Sequence, residues 1–302
     1  MFLHLYHDGR ECIYNLFVSV VAGLVSMLSW GSGDFVTAGL SRSIGSLRAL
    51  FWVTVVCDLL IVLYGGATGA YHSVSLSAIP YAVAGGLCHT AASMSYYRGL
   101  KVGRVSLVTP ISSGWSLILV LAAIFLYGEA LAPTQAIAIG LVIVGSVLVS
   151  ANLKEPQGSS RFTLSDPGIA YGFLAMLGWG IGFLFLNEAV EEVGWVIADL
   201  VLAMSMTAFL LIYSTASRES IAPPATVRDR LRTAFIGFAT ILAYASYSIG
   251  IERYLTSVVG PLAAAYPLVA VVLAVVILHE KTAINQKIGI AAVIGGMVLL
   301  AV

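Results

Sequence analysis

Charged side chains are scarce in this chain of 302 residues. They make up 10% of the sequence, whereas soluble domains carry about 25%. Hydrophobic residues make up 59%, and the mean hydropathy is +0.97. This composition excludes a soluble enzyme and a disordered protein. The 15 basic and 15 acidic residues cancel, so no net charge attracts nucleic acid, and we expect no nucleic-acid partner.

Cysteine is also rare. The three cysteines, Cys12, Cys57 and Cys88, are odd in number and widely spaced. They therefore predict neither a disulfide framework nor a CxxC metal or redox motif. The sequence has no phosphate-binding loop, no zinc motif and no nucleophile motif. We expect no metal, no cofactor and no enzymatic activity.

Long apolar runs are abundant. A helix needs about 20 apolar residues to cross a bilayer core about 30 Å thick. The runs are continuously apolar, which predicts helices, whereas barrel strands would alternate apolar and polar residues. The chain is thus predicted to be an all-α integral protein of the cytoplasmic membrane, with ten transmembrane helices surrounded by lipid. The ten runs are 14–38, 45–64, 78–98, 105–127, 133–152, 167–188, 193–214, 231–249, 254–278 and 284–302.

The two halves of the chain repeat one another. Residues 95–150 align without a gap to residues 246–301, with 19 identities in 56 positions. The first spans also match, since MLSWGSG at 27–33 corresponds to MLGWGIG at 176–182. This repeat predicts two five-helix domains, 14–152 and 167–302, joined by a linker at 153–166.

Each half contains an odd number of predicted spans, so the second half must enter the membrane inverted. Inverted repeats are typical of secondary transporters, in which two similar halves move about a central site. The sequence therefore predicts a carrier for a small-molecule solute.

Basic residues are concentrated on one side of the predicted helices. That side carries 13 of them and the other side carries 2, Arg10 and Arg253. By the positive-inside rule, this bias predicts that both termini lie outside the cell. The 13 residues are Arg42, Arg48, Arg98, Lys101, Arg104, Lys154, Arg161, Arg218, Arg228, Arg230, Arg232, Lys281 and Lys287.

The order of motifs resembles a known family. Each half has an aromatic residue and a glycine ending its third span, a proline early in the fourth, a glutamate after it, then a glutamine and a Gly-rich fifth span. These are Tyr96, Gly99, Pro110, Glu129, Gln135 and Gly145 in the first half, and Tyr247, Gly250, Pro261, Glu280, Gln286 and Gly296 in the second. Together with Trp30–Gly31 and Arg48, they make the chain similar to EamA-type members of the drug/metabolite transporter superfamily.

The resemblance implies a central cavity lined by the first, third and fourth spans of each half. Members of the family move amino acids, nucleotide-related metabolites, sugars or drugs by alternating access. Typical members keep both termini in the cytoplasm, which is the reverse of what the charge bias predicts. The topology, the direction of transport and the oligomeric state therefore stay open.

Nine residues in these spans are candidates for the cavity wall. Aromatic walls with few polar groups suit organic solutes and hold cations over their ring faces. The alternative is that the aromatic residues belong to the belts at the membrane surface. The nine candidates are Trp30, Asp34, His89, Tyr96, Trp115, Trp179, Asn187, Tyr247 and Tyr266.

Asp34 and Asp58 are candidates for proton coupling. An ionised Asp in mid-span costs about 2.5–3.5 kcal/mol on insertion scales, so it should face water or the bundle interior. Asp34 follows Trp30 by four residues and shares its helix face. The alternative is that Asp34 lies near the helix end, where it is solvated at the lipid headgroups. Asp58 is the acid that lies deepest in a predicted span. The alternative is that it has a structural role and pairs with Arg48 or another polar group. Asp199 and Glu129 are expected near the membrane surface.

Pro110 and Pro261 are candidate helix breaks, since proline frees a backbone carbonyl and can kink a span. Broken helices often bind solutes through exposed backbone. An ordinary first-turn proline is the alternative.

Two other functional classes compete with the carrier. Residues 31–34 spell GxGD, the motif of intramembrane aspartyl proteases, which need a second Asp close by. The only deep partner is Asp58, and the Tyr-Asp and Pro-Ala-Leu elements of those enzymes are missing. A passive channel would need a lined pore but no alternating halves, so the inverted repeat disfavours it.

Overall fold

The computed structural model describes residues 9–70, 77–102, 108, 111–150, 167–253, 255–279 and 283–300, and within these ranges it contains no strand. The predicted linker at 153–166 lies outside the described residues. The helices are α1 Gly9–Ile44, α2 Ser46–Thr68, α3 Ile79–Val102, α4 Trp115–Phe125, α5 Pro133–Ser150, α6 Pro167–Ser217, α7 Val227–Arg253, α8 Thr256–Ala264, α9 Pro267–Leu278 and α10 Ile284–Leu300.

Apolar helices account for most of the described chain. Five stretches are long and apolar enough to cross a bilayer, and they are Tyr14–Ile44, Ser46–Thr68, Pro167–Ser217, Val227–Arg253 and Thr256–Ile277. Three shorter apolar helices lie at Trp115–Phe125, Pro133–Val149 and Ile284–Leu300. The chain is an all-helical integral membrane protein, as predicted.

Helix α6 contains two predicted spans. Its backbone is non-helical at Gly194, where φ is 75° and ψ is 160°, a conformation that favours glycine. A Cβ on Gly85 of α3 would lie 3.1 Å from the Gly182 oxygen and 3.3 Å from Leu202. These two residues lie on opposite sides of Gly194 in sequence, so the two limbs of α6, 167–193 and 195–217, fold back along α3.

The fourth span of each half is interrupted at matching positions. The Gly114 amide donates to the Ile111 oxygen at 3.1 Å, and the Ala265 amide donates to the Leu262 oxygen at 3.2 Å. Both pairs are three residues apart, as in a tight 3₁₀ turn, and they correspond at the repeat shift. Pro261 lies inside α8, so the interruption follows it by about one turn. Pro110 lies outside the described residues.

The two halves pack against each other with an approximate twofold symmetry. A Cβ on Gly31 in α1 would lie 2.4 Å from the Val269 Cβ in α9, and one on Gly180 in α6 would lie 2.8 Å from the Ile118 Cβ in α4. Gly31 matches Gly180, and Ile118 matches Val269, in the sequence repeat. The first span of each half therefore packs against the fourth span of the other, as two inverted repeats require.

This packing predicts opposite effects for two glycine substitutions. Gly31→Ala should destabilise the fold by about 1–3 kcal/mol, because its Cβ would also lie 2.5 Å from the Tyr266 carbonyl oxygen. Gly140→Ala is the control, since nothing lies within 4 Å of its added Cβ, and alanine is the better helix former by about 1 kcal/mol. Thermal unfolding in detergent measures both. Equal melting temperatures for the two variants would contradict the close approach of α1 and α9.

The bundle has two chemically different ends. At one end, Arg48 donates hydrogen bonds to the Ala222 and Pro223 oxygens, and Arg98 donates to Tyr171. We call this the basic end. At the other end, Glu129 caps α8 and the Trp195 amide donates to Glu252. We call this the Glu129 end.

Candidate functional site

A cavity of about 170 Å³ lies between the two halves. It extends along α1 from Trp30 to Leu40, toward the basic end. Both repeats contribute to its wall, through α1, α2, α3 and Trp115 from the first and through α6, α7 and Tyr266 from the second. The wall consists of Trp30, Gly33, Asp34, Thr37, Leu40, Ala49, Leu50, Val53, Thr54, Cys57, Ser93, Tyr96, Tyr97, Trp115, Trp179, Phe183, Asp199, Leu202, Ala203, Met206, Ile236, Thr240, Ile241, Tyr244 and Tyr266.

An aromatic cluster closes the inner end of this cavity. The Trp30 ring lies at its centre, 5.3–6.4 Å from five other ring centroids. Phe183 stacks on Trp115 with the ring centroids 4.4 Å apart. Such edge-to-face and stacked pairs stabilise the fold beyond the burial of their apolar surface. The floor of the cavity is therefore apolar and well packed. The five partners of Trp30 are Trp115, Phe183, Tyr244, Tyr247 and Tyr266.

The structure brings six of the nine candidate residues into the cavity wall. They are Trp30, Asp34, Tyr96, Trp115, Trp179 and Tyr266. Phe183 and Tyr244 also line the cavity and were not among the nine. Helical spacing in the sequence could have identified both residues. Phe183 follows Trp179 by four residues and Tyr244 precedes Tyr247 by three, so each shares a helix face with a candidate.

The other three candidates, His89, Asn187 and Tyr247, lie within or beside the aromatic cluster and outside the described cavity wall. The His89 Nδ1 donates to the Gly85 oxygen at 2.9 Å, and its ring edge packs against Phe183. The Tyr247 hydroxyl donates to the Asn187 oxygen at 2.9 Å, and both side chains are buried. These residues support the floor of the cavity and do not line it.

Asp34 and Asp199 are the charged side chains among the described residues of the cavity wall. Asp34 is exposed to the cavity, and it also borders a second space of about 220 Å³ that reaches Gln286. Asp199 lines the first cavity at greater depth. Asp58 is half-buried beside Thr207 and lies outside the described wall. Among the described residues, no group of His, Cys, Asp or Glu could hold a metal ion.

Asp199 was expected near the membrane surface, but the structure places it in the interior of the bundle. It is 1% exposed, and one of its oxygens accepts a hydrogen bond from the Ser248 hydroxyl at 3.0 Å. Its other oxygen, Oδ2, is buried and has no hydrogen-bond partner among the described residues. The signal was present in the sequence, because Leu202, Ala203 and Met206 follow Asp199 at helical spacing and line the same cavity.

Hydrogen bonds join the two halves at the Glu129 end. The Glu129 carboxylate accepts from the Thr256 amide at 3.0 Å, from the Ser257 amide at 3.2 Å and from the Ser257 hydroxyl. A carboxylate at a helix N-terminus satisfies amides that lack partners within the helix. Burial raises the pKa of Glu129, and the bonds from Ser257 and Thr256 oppose this shift. Within the second half, the Asn187 amide also donates to the Thr256 hydroxyl at 3.3 Å.

Comparisons with known proteins agree with this architecture. One solved protein, described only as a crystal structure of a protein, superposes with a TM-score of 0.76 over 93% of this chain and 96% of its own, at 19% identity. That likeness shows the fold alone. No curated protein is similar enough to this chain to count as a match.

The family comparison covers both repeats. The model of the EamA-like transporter family matches residues 17–151 and 166–302. This match confirms the family resemblance found in the sequence. Because members of the matched family are transporters, the match favours a transporter over the protease alternative. The chain belongs to the EamA-like transporter family.

Proposed function

We propose that this protein is a secondary active transporter that moves a small organic solute across the membrane by alternating access. The observation that carries the proposal is the cavity, which both repeats build and which, among the described residues, extends along α1 toward the basic end. Its aromatic floor and the hydrogen-bonded Glu129 end separate the cavity from the other side. A passive channel would need a path at both ends.

The transport cycle follows from how the halves contact each other. The glycines at 31 and 180 let the first span of each half lie directly on the fourth span of the other. Packed interfaces of this kind have discrete arrangements, so rocking of the halves would open the Glu129 end and close the basic end. The bonds from Thr256 and Ser257 to Glu129 would break in that step.

The charge distribution supports a cytoplasmic basic end, with both termini outside. In that topology the described state opens toward the cytoplasm. A reporter fused to the C-terminus tests this assignment, since a cytoplasmic signal would reverse the sidedness but leave the cycle unchanged.

Asp34 is the coupling residue in this proposal, because it is the acid that faces water in the cavity. Asp34→Asn should transport with a flat pH dependence, whereas the wild type should respond to pH. Asp229→Asn is the control, because its carboxylate is buried at the basic end, bonded to Thr226 and Ser43. An unchanged pH profile in Asp34→Asn would move the coupling role to Asp58 or remove it.

Counterflow in liposomes tests the proposed function as a whole. Vesicles holding an unlabelled solute are diluted into a trace of the labelled solute, with amino acids, amines, sugars and nucleosides compared. A carrier accumulates label transiently, because an alternating site exchanges solute for solute. Equilibration without this overshoot, for every solute that enters, would contradict alternating access and favour a channel.

A further inference from the structure

We propose that Asp199 binds the protonated amine of the transported solute, and that the solutes are small amines with an apolar or aromatic body. The inference deepens the proposed function and rests on it, since it assumes that the cavity is the solute site.

The charge of the cavity wall is the first argument. Two carboxylates, Asp34 and Asp199, line it, and the described wall contains no Lys, Arg or His. An anionic solute would meet like charge and no counter-ion there, whereas a cation would meet opposite charge. The low dielectric of the surrounding apolar wall strengthens either effect.

The free oxygen of Asp199 is the second argument. The Ser248 hydroxyl satisfies Oδ1, while Oδ2 is buried without a partner among the described residues. A buried acceptor that lacks a donor is unfavourable. An ammonium group carries several N–H donors and a positive charge, so its binding supplies what Asp199 lacks. Charge-assisted hydrogen bonds of this kind are the strong ones.

The rings around Asp199 are the third argument. Tyr244 lies near Asp199, and it packs against Trp30 with the ring centroids 5.3 Å apart. Aromatic faces attract cations and also pack against an apolar body. With about 170 Å³ available, the cavity suits a solute of one ring and a short chain.

Depth separates Asp199 from Asp34. Asp34 is exposed and can bind water, whereas Asp199 is 1% exposed. An amine at Asp34 would compete with water, whereas an amine that reaches Asp199 would bind in a less polar environment, where its attraction to the carboxylate is stronger. We therefore assign recognition of the amine to Asp199, and the coupling role proposed above to Asp34.

A ligand series with a shared skeleton tests this assignment. Phenethylamine, 2-phenylethanol and 3-phenylpropionate carry a positive, a neutral and a negative group on the same ring and chain. We expect the amine to bind the purified wild type about tenfold more tightly than the alcohol, as one charge-assisted hydrogen bond implies. The carboxylate should bind more weakly than both. Calorimetric titration in detergent measures all three.

The Asp199→Asn variant should lose the preference for the amine and keep its affinity for the alcohol. Asp229→Asn is the matched control and should retain both affinities, because that carboxylate lies outside the described wall. Equal binding of amine and alcohol by the wild type would overturn the proposal, even if the variant does not fold. So would an unchanged amine preference in Asp199→Asn, which would assign the cation to Asp34.

The outcomes for the two proposals are distinguishable. Amine binding without counterflow would support the assignment of Asp199 and contradict transport. Counterflow of a neutral or anionic solute, without amine binding, would support transport and contradict the assignment.

Discussion

Glu129→Ala should open the Glu129 end of the protein. The variant removes the acceptor of two α8 amides and of the Ser257 hydroxyl, and these donors can find water only when that end opens. A hydrogen bond to a charged group contributes about 1.5–3 kcal/mol, which is about tenfold to a hundredfold in the ratio of open to closed protein. Alanine is a sharper test than glutamine. Glutamine would keep an acceptor for the α8 amides and would also remove the unfavourable burial of a charge, so it could leave the end closed.

The labelling rate of a buried thiol measures this opening. Ala189→Cys places the thiol in a fully buried position of α6, near the Glu129 end, in a chain whose three native cysteines are replaced. A hydrophilic maleimide should react about tenfold to a hundredfold faster after Glu129→Ala. Glu192→Ala is the control, since that exposed carboxylate accepts from Ser77 and leaves the α8 cap intact. Equal rates in both variants would show that the α8 cap does not hold this end closed.

Trp30→Ala should produce the largest loss of stability and should abolish solute exchange. The ring contacts five other aromatic side chains, so its removal leaves a void in the floor of the cavity. Truncation of a buried Trp costs up to about 3–5 kcal/mol. Thermal unfolding and counterflow measure the two effects.

Two further variants separate the role of this ring in binding from its role in stability. Trp52→Ala removes a half-buried ring of α2 that donates to the Ile221 oxygen and lies outside the described cavity wall. It should lower stability and preserve exchange. Trp30→Phe keeps an aromatic floor and should restore part of both. Exchange at the wild-type rate in Trp30→Ala would contradict the assignment of the cavity as the solute site.

The sequence predicted the architecture well because the repeat and the apolar runs are direct signals of it. The matched glycines at 31 and 180 even correspond to matched contacts. What the sequence left open was depth along each helix. Asp199 lies near a predicted span end, yet it is 1% exposed and lines the cavity. Helical spacing places it on one face with Leu202, Ala203 and Met206 but does not give its depth.

Side-chain direction was the second quantity that the sequence could not give. His89 and Asn187 lie in the predicted cavity spans, yet the His89 ring packs against Phe183 and donates to the Gly85 oxygen of its own helix, and the Asn187 amide donates to Thr256 of α8. Helical spacing gives the residues that share a face, but only packing determines which neighbour that face meets. The cap on α8 was also missed, because Glu129 and Ser257 are far apart in sequence and belong to different halves.

A reversible cross-link at the Glu129 end tests alternating access most directly. In the double variant Glu129→Cys and Ser257→Cys, with the three native cysteines replaced, a short bis-methanethiosulfonate reagent would form a disulfide with each thiol and hold the two halves together where they meet. Cross-linking should stop counterflow, a reductant should restore it, and solute binding from the basic end should persist throughout. Counterflow that continues at the same rate in fully cross-linked protein would contradict alternating access.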